Sequence, residues 1–160
     1  MQVFLPEPDF DYTAQQLDTK RLVKQLLEGR QIMTIIVGES KSNAWKNHPA
    51  VKMFDGHPIA LYTYLAAIRK EMQRRNYKWE KNWYEIQRMV SENLTQSGFP
   101  KWMLDDHSFY RVITTHRGRL YEKAPELYPQ YRTEYEIYQD YVCCPGKCTY
   151  YWPTHKLQGV

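Results

Sequence analysis

Apolar residues in this chain recur three and four positions apart, and the alternating pattern of a half-buried strand is weak throughout. Leu22, Leu26 and Met33, with Val23 and Leu27 beside them, make one apolar face. Leu61, Leu65, Ile68 and Met72 make another. That spacing is the period of an amphipathic helix. It predicts an all-α fold with helices over about 13–36, 58–75, 83–94 and 106–123. Asn82 and Asp105 or Asp106 are the expected caps of the third and fourth helices, and Pro49 starts a short helical turn. Residues 1–11 carry two prolines and no helical period, so they are expected to be extended. Beyond Tyr131 the sequence is polar and aromatic, an irregular C-terminal segment of short helices or coil. A length of 160 residues fits one compact domain, 1–160, with enough buried surface to fold without disulfides or metals.

The longest apolar run, Tyr64 to Ile68, is five residues, against the roughly 20 that a helix needs to span a bilayer. The first residues lack the basic and apolar regions of a secretory signal. Three cysteines, two of them adjacent, argue against a disulfide framework and for a reducing, cytoplasmic setting. Aromatic residues make up 15% of the chain, with 14 tyrosines and five tryptophans. Lys and Arg number 22 against 18 acids, a net charge of +4. A basic surface dotted with aromatic rings suits a polyanion with bases to stack upon. From composition alone the plainer reading is a mildly basic protein with a tyrosine-rich core.

Five clusters carry residues suited to chemistry. In the first, Lys20, Lys24 and Glu28 share one helical stripe, with Arg21 and Gln25 on its flank and Arg30 beyond. This is either a solvated ion-pair face or a carboxylate in a cationic field that holds phosphates. The second is Asn47-His48-Pro49 with Gly56-His57, two histidines around a tight turn. Each either caps a helix or faces a shared site. The third is His116-Arg117 with Arg119 and Lys123, a basic helix end or a phosphate clamp. The fourth runs from Arg69 through Arg75, Lys78 and Lys81, interleaved with Tyr77, Trp79, Trp83 and Tyr84. It is a solvated helix end or a surface with stacking platforms. The fifth, Cys143, Cys144 and Cys148 with His155, has zinc-ligand chemistry, but its spacing matches no standard finger. No metal is assigned.

In order and spacing these blocks resemble the pyrimidine-dimer DNA glycosylase family of the endonuclease V type. The likeness rests on Met1-Gln-Val-Phe-Leu-Pro6, Leu17-Asp18, Lys20-Arg21-Leu22, Lys24-Gln25 and Glu28. It continues through Asn47-His48-Pro49-Ala50-Val51, Gly56, His116-Arg117, Leu120, Lys123, Pro125, Tyr128 and Tyr151-Trp152-Pro153.

The resemblance implies a compact helical fold and a nucleotide flipped out of damaged double-stranded DNA. It implies attack on the sugar C1′ by the N-terminal α-amine, loss of the base, an imine, and strand cleavage by β-elimination. Glu28 matches the family's essential carboxylate. Basic residues beside it bind phosphates in the family, and Lys20, Arg21, Lys24 and Arg30 are the candidates here; His48, His57, His116, Arg117, Arg119 and Lys123 are expected to line the site or touch DNA. No cofactor is implied, and the expected state is a monomer in the nucleoid or a phage-infected cell. Gln2 is bulky, and initiator methionine is removed before small residues, so the amine is expected on Met1 rather than on Gln2. Leu26 and Leu27 stand where relatives often carry an arginine beside the glutamate. Two other readings keep the fold: a DNA-binding module without amine chemistry, and an enzyme for modified bases in phage DNA.

Overall fold

The computed structural model describes residues 1–93, 98–141 and 150–153, with the side chains of 138–141 excluded. Among the described residues it is all-α, with eight α-helices and no strand. The helices are α1 (Phe10–Gln16), α2 (Thr19–Ile36), α3 (Pro49–Lys52), α4 (Pro58–Arg74), α5 (Glu80–Glu92), α6 (Lys101–Leu104), α7 (Asp106–Lys123) and α8 (Arg132–Tyr141). A 3₁₀ turn, Pro129–Tyr131, precedes α8. No helix among the described residues is long and apolar enough to cross a membrane. The cysteine cluster with His155 lies outside the described residues.

The helix expected from residue 13 to 36 is broken at Leu17 and Asp18, both extended. Partners from distant sequence make the break favourable. The Asp18 carboxylate accepts from the Arg21 N–H and caps α2, while the Tyr128 hydroxyl accepts from the Asp18 N–H (2.9 Å). Arg75, at the end of α4, donates to the carbonyls of Gln15 (3.1 Å) and Leu17 (2.8 Å). A helix end left with free carbonyls is unstable unless they are satisfied in this way. The third helix starts at Glu80 and not at Trp83, because the Glu80 carboxylate accepts from the Trp79 N–H (2.9 Å). Asn82 lies inside that helix. Asp105 caps α7 through the Ser108 N–H, as expected.

Leu22, Leu26, Ile32 and Met33 of α2 and Leu61, Leu65, Ile68 and Met72 of α4 are buried together in the core. Each such side chain contributes about 1.5–3 kcal/mol by leaving water. Gly29 permits the close approach: a Cβ there would stand 2.2 Å from Leu65 Cδ2. Leu65 meets Gly29, and Arg75 meets Leu17 and Thr19, so α4 runs antiparallel to α2. Val23 and Leu27, expected beside the apolar face, are exposed.

Candidate active site

Residues 1–6 are neither helical nor bent and lie across the helices; the chain bends at 7–9 and turns helical at Phe10, short of the extended run expected to residue 11. An extended strand without a neighbour must find partners for its backbone, and here side chains supply them. Gln25 of α2 donates from Nε2 to the Gln2 carbonyl (3.1 Å) and accepts at Oε1 from the Phe4 N–H (2.9 Å). Tyr64 of α4 donates its hydroxyl to the Phe4 carbonyl and lies 2.8 Å from Gln25 Oε1. His116 of α7 accepts at Nδ1 from the Leu5 N–H (2.8 Å). Arg117 donates to the Pro6 carbonyl (2.6 Å) and pairs with Glu7 (2.8 Å). The Thr13 hydroxyl closes on both the N–H and the carbonyl of Glu7.

This clasp delivers the start of the chain to Glu28. The Met1 α-nitrogen is 3.7 Å from Glu28 Oε1, and the Gln2 N–H donates to Glu28 Oε2 (3.1 Å). The Glu28 side chain is 9% exposed, so water does little to screen it. Lys24, one turn earlier and 64% exposed, holds its ammonium 3.6 Å from Glu28 Oε1. Thus both nitrogens at the chain start, Met1 and Gln2, face one carboxylate, with a cation on its solvent side.

His48 caps α3, accepting at Nδ1 from the Ala50 N–H (3.1 Å). A neutral ring that accepts at Nδ1 carries its proton on Nε2. Trp45 and Trp152 flank it, with ring centroids 5.4 and 6.1 Å away. Burial, then the positive charge of the Met1 amine, hold His48 below the usual histidine range, with Glu28 opposing. The ring is therefore within electrostatic reach of the amine–carboxylate pair. A cleft of about 410 Å³ opens beside Met1, lined by Arg30, Gln31, Thr34, Ile35, Ser40 and Trp45.

A basic flank gathers from α2 and α7. Lys123 is held below the usual lysine range by burial and by the neighbouring Arg119, Arg21 and Lys24, with Glu122 opposing. These four cations are thus close enough to repel one another. Arg119 pairs with Glu122 and lies over the Tyr150 ring; Arg21 pairs with Asp18 and lies over Tyr128. Lys20 is exposed two turns upstream of Glu28. Arg30 pairs with Glu85 (2.6 Å) and lines the cleft.

Three expected site residues stand elsewhere. His116 has no exposed surface, and burial pushes its pKa down to about 3. It is neutral, edge-on to Phe4 and Tyr150, and its Nδ1 accepts from the Leu5 N–H. Arg117 is held by Pro6, Glu7 and Glu134, bracing the N-terminal segment. The His57 ring donates from Nδ1 to the Gly98 carbonyl (2.8 Å), joining α4 to the loop before α6. Trp45 and the clasp function of Gln25 and Tyr64 were not singled out in the sequence. Gln25 had a signal: a polar residue wedged between Leu22, Leu26 and Gly29 needs a buried partner. Among the described residues no cluster of His, Cys, Asp and Glu forms a metal site.

Fold and site together define an all-α protein that seats an α-nitrogen against a shielded carboxylate, with cations on the flank. A family model described as pyrimidine dimer DNA glycosylase matches residues 1–85, more than half of the chain. The chain belongs to that family. The match takes in Met1, Gln25, Glu28, His48 and Tyr64, while α7 lies beyond it. No curated protein and no solved structure matches the chain.

Proposed function

We propose that this protein excises pyrimidine dimers from duplex DNA as a glycosylase with associated abasic-site lyase activity. Family membership supports DNA as the substrate. The observation that carries the chemistry is the Met1 α-nitrogen 3.7 Å from the shielded Glu28 carboxylate.

An α-amine ordinarily has a pKa of about 7.7–8.0, so an appreciable fraction is neutral and nucleophilic at neutral pH. Its lone pair attacks C1′ of the damaged nucleotide. The C1′–N1 bond breaks, its electron pair goes to the base, and the base leaves with a proton. The amine now bonded to C1′ gives up a proton, its lone pair closes on C1′ as the C1′–O4′ bond breaks, and O4′ takes up a proton, which leaves a ring-opened imine between C1′ and the α-nitrogen. Removal of a C2′ proton then breaks the C3′–O bond and expels the 3′ phosphate. Glu28 accepts protons in these steps, general base catalysis worth about 10²–10⁴-fold. Extruding a nucleotide costs roughly a few kcal/mol, least where the duplex is damaged. Stacking on rings such as Trp45 and Trp152 offsets it by about 1–3 kcal/mol per base. Arg21, Lys24, Arg119 and Lys123 hold the phosphates, and the protein acts as a monomer in the cytoplasm.

The test is borohydride trapping on ultraviolet-irradiated, abasic and undamaged duplexes. A covalent adduct on irradiated and abasic DNA, with none on undamaged DNA, is expected. An adduct on abasic DNA alone contradicts the dimer substrate. No adduct, with binding intact, favours the DNA-binding module instead.

A further inference from the structure

We propose that the DNA interface continues past Glu28 onto the α5 side of α2, where Lys78 and Lys81 hold phosphates of the duplex flanking the lesion. It rests on the family's DNA substrate and needs no amine chemistry.

Helix α5 lies beside α2 and runs parallel to it. Arg30 pairs with Glu85 (2.6 Å), and Thr34, one turn on, meets Met89, also one turn on (3.5 Å). Stepping back one turn from that pair sets Lys81 at the level of the buried Leu26, next to the exposed Leu27, since residues four apart share a helix face. Lys78 lies in the turn two residues before the start of α5. Val23 and Leu27 of α2 are 37% and 40% exposed. Lys20 and Lys24 are exposed on the stripe of α2 that leads to Glu28. Exposed lysines therefore stand both on α2 and at the start of the neighbouring α5.

The turn that carries Lys78 has a fixed shape. Asn76 has a φ of 58°, and the Tyr77 N–H donates to the Met72 carbonyl (2.9 Å). The Arg69 guanidinium lies 5.0 Å from the Trp79 ring and 5.2 Å from the Trp83 ring, and Trp83 stacks on Tyr62. Charge on this surface is selective. Lys70 is committed to Asp11, and Arg74 and Arg75 to Glu71. Glu85 is neutralised by Arg30, and Glu80 accepts from the Trp79 N–H. Lys78 and Lys81 are exposed and make no ion pair among the described residues. Tyr84, 60% exposed, adds a ring beside them. The exposed, unpaired ammonium groups of Lys78 and Lys81 suit a phosphate backbone, which carries charge at regular intervals.

The experiment measures binding of undamaged and abasic duplexes by the double variant Lys78→Ala/Lys81→Ala across a salt series. Each phosphate contact contributes about 0.9 to the slope of log K against log salt. The expected result is a slope shallower by about 1.8, equal on both duplexes, with the helical circular dichroism unchanged. Lys52→Ala/Lys101→Ala removes the same charge from α3 and α6 and is expected to keep the original slope. An unchanged slope in the first pair, or an equal drop in both pairs, overturns the proposal. Failure of borohydride trapping leaves this result standing, so the two readings fail separately.

Discussion

Gln25 holds Gln2 and Phe4 with one amide, donating to the first carbonyl and accepting from the second N–H. Glu28, three residues on along α2, faces Met1 and Gln2. A single helix thus carries both the residue that fixes the chain start and the carboxylate that the chain start meets. Position is much of what a catalytic amine requires, since holding reactants in register removes an entropic share of the barrier.

Glu28→Gln keeps the shape of the side chain and can still accept from the Gln2 N–H. It loses the charge and the ability to take up protons. Turnover on irradiated duplex is expected to fall by about 10²–10⁴-fold, with DNA affinity kept within about threefold, roughly 0.7 kcal/mol. Single-turnover kinetics beside a binding isotherm check it. A loss of affinity equal to the loss of rate would move Glu28 from catalysis to binding.

Tyr64→Phe tests the clasp. The hydroxyl is fully buried and bonds the Phe4 carbonyl and Gln25. Its removal leaves a buried acceptor short of a partner, at a cost of about 1–3 kcal/mol. Denaturant unfolding should show that loss. The trapping rate should fall by more than the DNA affinity, because the start of the chain loses its register. Trapping at the native rate in a folded variant would show that the segment needs no such support.

Gly29→Ala places a methyl group 2.2 Å from Leu65 Cδ2 and 3.0 Å from Leu65 Cγ, with Leu65 itself fully buried. Overpacking of this kind costs about 1–3 kcal/mol. A lower melting temperature is expected, and the double variant Gly29→Ala/Leu65→Ala should recover part of the clash while opening space on the α4 side. A melting temperature at or above that of the parent protein would contradict the packing described for α2 and α4.

His116 sets a pH dependence. Its folded pKa of about 3 lies below the ordinary histidine value of 6.5. The unfolded chain therefore binds the proton more readily across that interval. Stability from this residue is complete above pH 6.5 and is lost as pH falls towards 3. His48, lowered for burial and for the nearby amine, acts in the same direction. Between pH 6.5 and 4.5 the slope of unfolding free energy against pH should flatten in His116→Gln, which keeps an acceptor for Leu5. A slope unchanged by that substitution would assign the dependence to other groups.

Much of the helical frame was legible in the sequence, and the reason is periodicity. Helices α4 and α7 begin where expected because Pro58 and Asp105 are local start signals. The break at Leu17 and Asp18 was hidden because Tyr128 and Arg75, which make it favourable, are far away in sequence. The start of α5 was misplaced because Glu80 serves the Trp79 N–H, a signal weaker than the Asn82 that follows. Within the site, the Lys24–Glu28 pair follows from helical spacing alone. The burial of His116 does not, because its neighbours Phe4, Leu5, Tyr150 and Trp152 come from both ends of the chain.

The most direct test of the amine chemistry is to map the adduct. The protein is trapped with borohydride on abasic duplex, digested, and the modified peptide sequenced by mass spectrometry. The modification is expected on the α-nitrogen of the first residue, beside Glu28, with every lysine unmodified. An adduct on a side chain, Lys24 above all, would contradict the assignment of the nucleophile.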